Sequence, residues 1–164
     1  MIRKLANADF QSILTVVNDA AMAYKSKIPA DRWKEPYMSA HELDEEIQNG
    51  VQFYGWTENN VLTAVMGTQS VDDVTLIRHA YTLTSNQQNG LGEKLLNHLL
   101  GLARTNRILV GTWEATLWAI KFYNKHGFTL LSRKETNNLL RKYWNIPERQ
   151  VEASVVLELK RQPQ

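Results

Sequence analysis

The most restrictive stretch of this chain is Tyr81-Thr82-Leu83-Thr84-Ser85-Asn86-Gln87-Gln88-Asn89-Gly90-Leu91-Gly92-Glu93-Lys94-Leu95-Leu96. A strand-forming run gives way to a polar stretch with two glycines. That stretch opens directly onto a helix faced by Leu91, Leu95, Leu99 and Leu102. A turn of this kind points several backbone N–H groups at one spot, and the helix dipole adds positive potential there. Glycine suits it because a Cβ would block close approach of the backbone or a left-handed φ. The physical reading is a cradle for a pyrophosphate. The spacing alone also admits a plain loop whose glycines serve packing. A Walker A loop is absent, and the third glycine of a dinucleotide fingerprint is replaced by Leu95.

The segments around this loop predict one α/β domain over residues 1–164, with a mixed, largely antiparallel sheet flanked by helices. Ile2 to Leu5 reads as a strand, followed by a helix capped at Asn7 or Asp9 with Phe10, Ile13, Leu14, Val17, Ala21 and Tyr24 on one face. Residues 25–38 are broken by Pro29 and Pro36. Ser39 with Glu42 forms a capping box, and Gly50 stops the helix it starts. Strands are predicted over 51–56, 61–68 and 74 to about 84, joined by turns at Glu58-Asn59-Asn60 and Asp72-Asp73. Beyond the glycine loop and its helix come a strand over 108–113 and a helix through Trp118, Ala119, Phe122 and Tyr123 that ends at Gly127. A strand over 128–132 and a short helix around 139–144 follow. A last strand over 151–160 alternates Val151, Ala153, Val155, Leu157 and Leu159, its expected core face, with Glu152, Ser154, Val156, Glu158 and Lys160.

Composition excludes several classes. At 43% hydrophobic and 22% charged residues, the chain is an ordinary folded one. Nineteen Lys and Arg against 17 Asp and Glu leave a net charge of +2, a balance that on charge alone does not point to a nucleic-acid or acidic-membrane binder. The basic, aromatic run Arg141-Lys142-Tyr143-Trp144 therefore reads as an amphipathic turn covering the sheet. There is no cysteine, so disulfides, thiol nucleophiles and thiolate metal sites are excluded. His41, His98 and His126 have no ligand spacing with one another or with acids, and no metal site is expected. Gly-x-Ser-x-Gly is absent. No apolar run reaches the roughly 18 residues of a bilayer span, and the start lacks a secretory pattern, so a cytoplasmic protein is expected.

Gln87-x-x-Gly90-x-Gly92, after a strand and before a leucine-faced helix, resembles the acetyl-coenzyme A pyrophosphate loop of the GNAT superfamily of N-acetyltransferases. The block Trp113-Glu114-Ala115-Thr116-Leu117-Trp118-Ala119-Ile120-Lys121-Phe122-Tyr123-Asn124-Lys125-His126-Gly127-Phe128 is similar to that family's later signature, an Ala-Ile-x-Phe-Tyr helix closed by Gly-Phe. One helix and one strand separate the two blocks, and the element order from Ile2 to Lys160 matches as well.

The resemblance implies transfer of an acetyl group from acetyl-coenzyme A to an amine by direct attack in a ternary complex. The backbone at Tyr81 and Thr82 would pair with the pantetheine arm. The loop led by Gln87 would present the N–H groups of Gln88, Asn89, Gly90, Leu91, Gly92 and Glu93 to the pyrophosphate. Tyr123 would protonate the leaving thiolate. Thr116 stands where the family often carries Asn, so its contact to the cofactor has a shorter reach. For the general base the residues leave three choices open: His79, Glu114 or a water chain. In the implied fold the connection between the first two helices walls the acceptor site. Trp33 and Tyr37 there suit an apolar or cationic acceptor, Asp31 and Glu35 would attract an ammonium, and the aromatics equally suit a sheet-edge cap. The acceptor would be a small-molecule amine or a peptide N-terminus, and a homodimer is common in such proteins. The rival readings are a non-catalytic acyl-coenzyme A sensor on the same fold and a nucleotide-binding domain using the same loop.

Overall fold

The computed structural model describes residues 1–162, which form two compact units. The first comprises Met1–Ala23, Lys34–Ser70 and Ile77–Ala103; the second comprises Tyr24–Trp33, Val71–Leu76 and the chain from Arg104 onward.

The first unit holds β1 (Ile2–Lys4), α1 (Phe10–Ala21), α2 (Ala40–Gln48), β2 (Gln52–Glu58), β3 (Val61–Val71), most of β4 (Val74–Thr82) and α3 (Leu91–Leu102). β1 pairs antiparallel with β2, and β2 with β3. The β2–β3 turn is Asn59-Asn60, with φ of 49° and 65°, the left-handed pair a two-residue hairpin needs and Asn tolerates. The serine half of the box is present: the Glu42 N–H donates to Ser39 Oγ at 3.1 Å, and α2 starts one residue later than that cap. Ile13, Leu14, Val16 and Val17 of α1 meet Leu43 of α2 and Phe53 and Val65 of the sheet in one core. Burying side chains of this size contributes about 1.5–3 kcal/mol each. On α3 the inward set is Leu91, Leu95, Leu96 and Leu99, whereas Leu102 is exposed.

The second unit holds β5 (Arg107–Trp113), α4 (Leu117–Lys125), β6 (Thr129–Leu130), α5 (Arg133–Tyr143), α6 (Glu148–Glu152) and β7 (Ser154–Lys160). β7 pairs antiparallel with both β5 and β6. Among the described residues seven strands form a mixed, mostly antiparallel sheet in the order β1-β2-β3-β4-β5-β7-β6. Helices flank it, as the sequence predicts.

Four expectations in this unit are corrected. β6 is two residues rather than five, because Ser132 caps a helix: its Oγ accepts the Glu135 N–H at 3.2 Å. That second serine cap makes α5 eleven residues long and moves its start to Arg133, well before the expected 139. The last strand begins at Ser154, not Val151, because Pro147 starts a short helix whose Gln150 carbonyl accepts the Ser154 hydroxyl at 2.6 Å. Nor does β7 present its alternate residues to core and solvent. Val156 packs with Leu140 and Tyr143, and Leu157 is equally buried. Glu158 is buried and held by Arg107 at 2.8 Å. A strand covered on both faces loses the polar-out signal. The run at Arg141–Trp144 is the end of α5, with Tyr143 buried and its hydroxyl donating to Asp73 Oδ1 at 2.7 Å.

Candidate active site

In the first unit, β4 delivers the chain into the glycine loop, and each step of the loop is tied down. The Leu83 N–H donates to the Thr63 carbonyl at 2.8 Å. The Thr84 N–H donates to Asp19 Oδ2 of α1 at 2.8 Å, anchoring a short 3₁₀ turn over Thr84–Asn86. Gln87 Nε2 reaches back to the Thr82 carbonyl at 3.3 Å. Then Gln88 turns left-handed at φ 69° and Gly90 at φ 74°. α3 follows with no side-chain cap at Gly90, unlike α2 and α5 with their serines. Its first internal bond runs from the Lys94 N–H to the Gly90 carbonyl, so the N–H groups of Leu91, Gly92 and Glu93 point beyond the helix end.

A left-handed residue followed by helical ones lines up such N–H groups into an anion-binding concavity. A Cβ built on Gly90 meets nothing within 4 Å. The glycine is therefore required by its φ and not by packing, and the space in front of it is open to a ligand. These residues fit a pyrophosphate: uncapped donors, a helix N-terminus and room.

Tyr81 and Leu83 are partly buried against the core of this unit. Tyr37 from the proline-broken connection packs edge-on against Tyr81, with centroids 6.4 Å apart at 74°. Here the expected acceptor loop and the expected cofactor strand are brought together within one unit. His79 lies inside β4 with φ 55°, a left-handed conformation that a histidine in a strand rarely takes. Its ring stacks on Phe53 at 5.9 Å, and Nε2 is 2.8 Å from Glu46 Oε2 of α2. Arg78 Nη1 is 3.0 Å from the same oxygen and 3.2 Å from Gln69 Oε1. Burial pushes the His79 imidazole below its ordinary value, against the pull of Glu46.

In the second unit, Tyr123 sits on α4 at 4% exposure, ring-packed against Phe122 and Phe128. The Phe128 N–H donates to the Tyr123 carbonyl at 3.0 Å, and Gly127 takes φ 91° to allow that turn. Burial, with the phenol of Tyr24 adding to it, raises the Tyr123 hydroxyl far above the usual tyrosine range, so it stays protonated at any physiological pH. Thr116 is fully buried; its hydroxyl donates to the Trp113 carbonyl at 2.7 Å and lies 3.0 Å from Thr112 Oγ1. Glu114 is mostly exposed and paired with Arg133 Nη2 at 2.5 Å; the same guanidinium holds the carbonyls of Val151 and Ser154 through Nη1. Trp33 ends a short 3₁₀ turn, half-buried. Asp31, expected to draw in an ammonium, is instead paired with Arg149 and Arg32. Tyr24 stacks on Trp118 at 5.9 Å.

Sequence reasoning missed Glu46 and Arg78. Glu46 lies in the acidic run of α2, but it is three residues after the fully buried Leu43, and that spacing puts it on the inward stripe. Arg78 carries no such signal. Among the described residues no helix is long and apolar enough to cross a membrane.

A family model described as an acetyltransferase (GNAT) domain matches residues 16–142, which run through both units. Among solved structures, a GNAT-family acetyltransferase of Staphylococcus aureus Mu50 superposes with a TM-score of 0.74 at 15% identity, covering 99% of each chain. PaiA N-acetyltransferase of Thermoplasma acidophilum, in complex with coenzyme A, gives 0.71 at 15% identity over 98% of each chain. The ribosomal-protein-S18-alanine N-acetyltransferase of Escherichia coli gives 0.70 at 18%, covering 100% of this chain and 95% of that one. Likeness this distant in sequence shows the fold.

Proposed function

The chain belongs to the GNAT family of acetyltransferases, and from that premise we propose that it moves an acetyl group from acetyl-coenzyme A onto a primary amine by direct attack in a ternary complex. The observation that carries the proposal is the loop at Gly90, with its left-handed φ, an uncapped helix start and open space before it. The N–H groups from Gln88 to Glu93 hold the pyrophosphate, and Gln87 stiffens the loop by its bond to Thr82. The backbone of Tyr81 and Thr82 aligns the pantetheine arm.

The bound coenzyme supplies an activated thioester; the chain must supply a free amine and a proton for the leaving thiolate. An alkyl amine with pKa near 10.4 is only about 0.1% free base at pH 7.4, so a group that takes its proton shortens a real barrier. His79 fits this better than Glu114, whose carboxylate is held by Arg133. Tyr123, kept protonated by burial, donates to the thiolate. Thr116 serves by fixing the start of α4 through Trp113 rather than by reaching the cofactor. Trp33 and Tyr37 select the acceptor, a small-molecule amine or a peptide N-terminus.

The test is release of free thiol from acetyl-coenzyme A with a panel of amines: a polyamine, amino acids and a peptide with a free N-terminus. Thiol release with an amine supports the reading. Tight coenzyme A binding without turnover on any amine replaces it with an acyl-coenzyme A sensor, and preference for ATP or NAD over coenzyme A replaces it with a nucleotide-binding domain.

A further inference from the structure

We propose that Glu46 is the positioning carboxylate of a Glu46–His79 dyad, in which His79 Nδ1 takes the proton from the acceptor ammonium. The inference rests on the acetyltransferase reading and names the group that prepares its nucleophile. It starts from the tautomer. Glu46 is desolvated, which alone would raise its pKa, but the His79 N–H and the Arg78 guanidinium outweigh burial and hold it below the ordinary carboxylate range. Glu46 is therefore ionised at neutral pH and can only accept a hydrogen bond. At 2.8 Å from Oε2, His79 Nε2 must then carry the proton, and the lone pair of the neutral ring lies on Nδ1.

Nδ1 has no partner among the described residues, yet no unpartnered side-chain nitrogen or oxygen is sealed from solvent there. It follows that Nδ1 is not sealed from solvent, consistent with the 17% exposure of the side chain. The ring cannot swing, because Phe53 stacks on it and Glu46 grips the opposite nitrogen. The backbone beneath is held as firmly: His79 has φ 55°, and the Arg78 carbonyl lies 3.0 Å from where a Cβ on Gly67 would be. A non-glycine residue in this region costs about 1–3 kcal/mol, and such strain clusters where a side chain must be aimed.

The charges that act on His79 are Arg78 on its own strand and Glu46 and Glu42 on α2. Burial, foremost, and Arg78 lower its proton affinity, while the two carboxylates raise it; the net is a ring that is neutral at pH 7 and ready to accept. Proton bookkeeping closes. His79 removes one proton from R–NH3+, leaving R–NH2 to form the C–N bond as the C–S bond breaks. The second nitrogen proton, acidic once the C–N bond has formed, is taken up by Tyr123 as the phenol gives its own proton to the coenzyme thiolate, so Tyr123 ends as it began. The imidazolium, stabilised by Glu46 in the interval, returns its proton to water.

Long-range 1H–15N NMR of the wild-type protein reads the His79 tautomer without any acceptor. Steady-state kinetics of Glu46→Gln and Glu46→Asp follow, on whichever amine of the panel is turned over, across pH 5–9. The dyad requires the proton on Nε2, a kcat lower by about tenfold or more in Glu46→Gln, an acid limb displaced to lower pH, an unchanged coenzyme A Kd, and partial recovery of rate and limb in Glu46→Asp. A proton on Nδ1 overturns it, as does a folded Glu46→Gln protein with wild-type kcat and limb; both leave the acetyltransferase reading standing. If Glu46→Gln does not fold, the wild-type tautomer and Glu46→Asp decide. A wild-type protein that binds coenzyme A and acetylates no amine refutes the acetyltransferase reading itself, whatever the tautomer.

Discussion

Replacing Gly90 with alanine separates what the glycine does for the fold from what it does for the ligand. At φ 74° an L-residue strains the native backbone by ~1–2 kcal/mol. Alanine also loses less entropy from the unfolded chain, which offsets roughly 0.4–1 kcal/mol of that strain. No clash is added, because the new methyl meets nothing within 4 Å. The net loss is about 1 kcal/mol, or roughly 2–4 °C in Tm for a chain of this length. The methyl does occupy space that is open beside the loop. If a pyrophosphate belongs there, at least one charge-assisted hydrogen bond is lost or lengthened, worth ~1.5–3 kcal/mol, which is a roughly 10- to 150-fold weaker coenzyme A affinity. Thermal melting followed by CD, with calorimetric titration of coenzyme A, measures both. A variant that melts a few degrees lower yet binds coenzyme A as tightly as the wild type refutes the cradle, since the open space would then serve no ligand.

Tyr123→Phe should lower kcat with little change in coenzyme A affinity, near or below the low end of the ~10²–10⁴-fold range for acid catalysis, because a thiol of pKa near 8.5 already leaves well; an unchanged kcat leaves Tyr123 a packing residue. Trp33→Ala should raise the acceptor KM by roughly two- to thirty-fold, the span of one cation–π contact, and leave acetyl-coenzyme A binding alone; a fall in Tm with unaltered acceptor kinetics makes the indole structural. Asp9, hydrogen-bonded by Arg3 and by the Ala6 N–H, is held at about 2, below its ordinary 3.8. A depressed pKa gives stability that is full above pH 4 and lost as pH falls toward 2. Asp9→Asn should therefore cost about 1 kcal/mol or less at pH 7, since Arg3 is largely solvated, and only a small part of that at pH 2, by urea denaturation.

The fold was legible where one segment carried its own instruction. Ser39 and Glu42 announce α2, Asn59-Asn60 announces a hairpin, and Leu91, Leu95 and Leu99 announce the buried side of α3. It was misread where two instructions overlapped. Thr129-Leu130 is apolar enough to look like the middle of a longer strand, and this concealed that Ser132 and Glu135 were already capping a helix. Val151 continues the alternation of β7 backwards, but Pro147 had set a helical turn that consumed it. In both cases the capping residue was the stronger signal, because it satisfies N–H groups that otherwise have no partner.

The site divides along a different line. The loop at Gly90 could be read because its chemistry lies in the backbone, and glycine records backbone demands directly in the sequence. The surroundings of the candidate acid and base, Tyr123 and His79, could not, because they are built by residues far along the chain. Of the non-glycine residues with left-handed φ, Asn59, Asn60 and Asp72 are of the types that tolerate it and sit in turns. His79 lies inside a strand and not in a turn, and nothing in the sequence near it forecasts the conformation. What sustains it comes from elsewhere: Glu46, 33 residues earlier, and the ring of Phe53. The absence of a Cβ at Gly67 adds to it, by letting the Arg78 carbonyl approach. A strained residue persists only when its neighbours over-determine it, and here those neighbours fix one ring nitrogen and leave the other open. Packing alone gives no reason to leave that nitrogen open, and a base that must meet a substrate does.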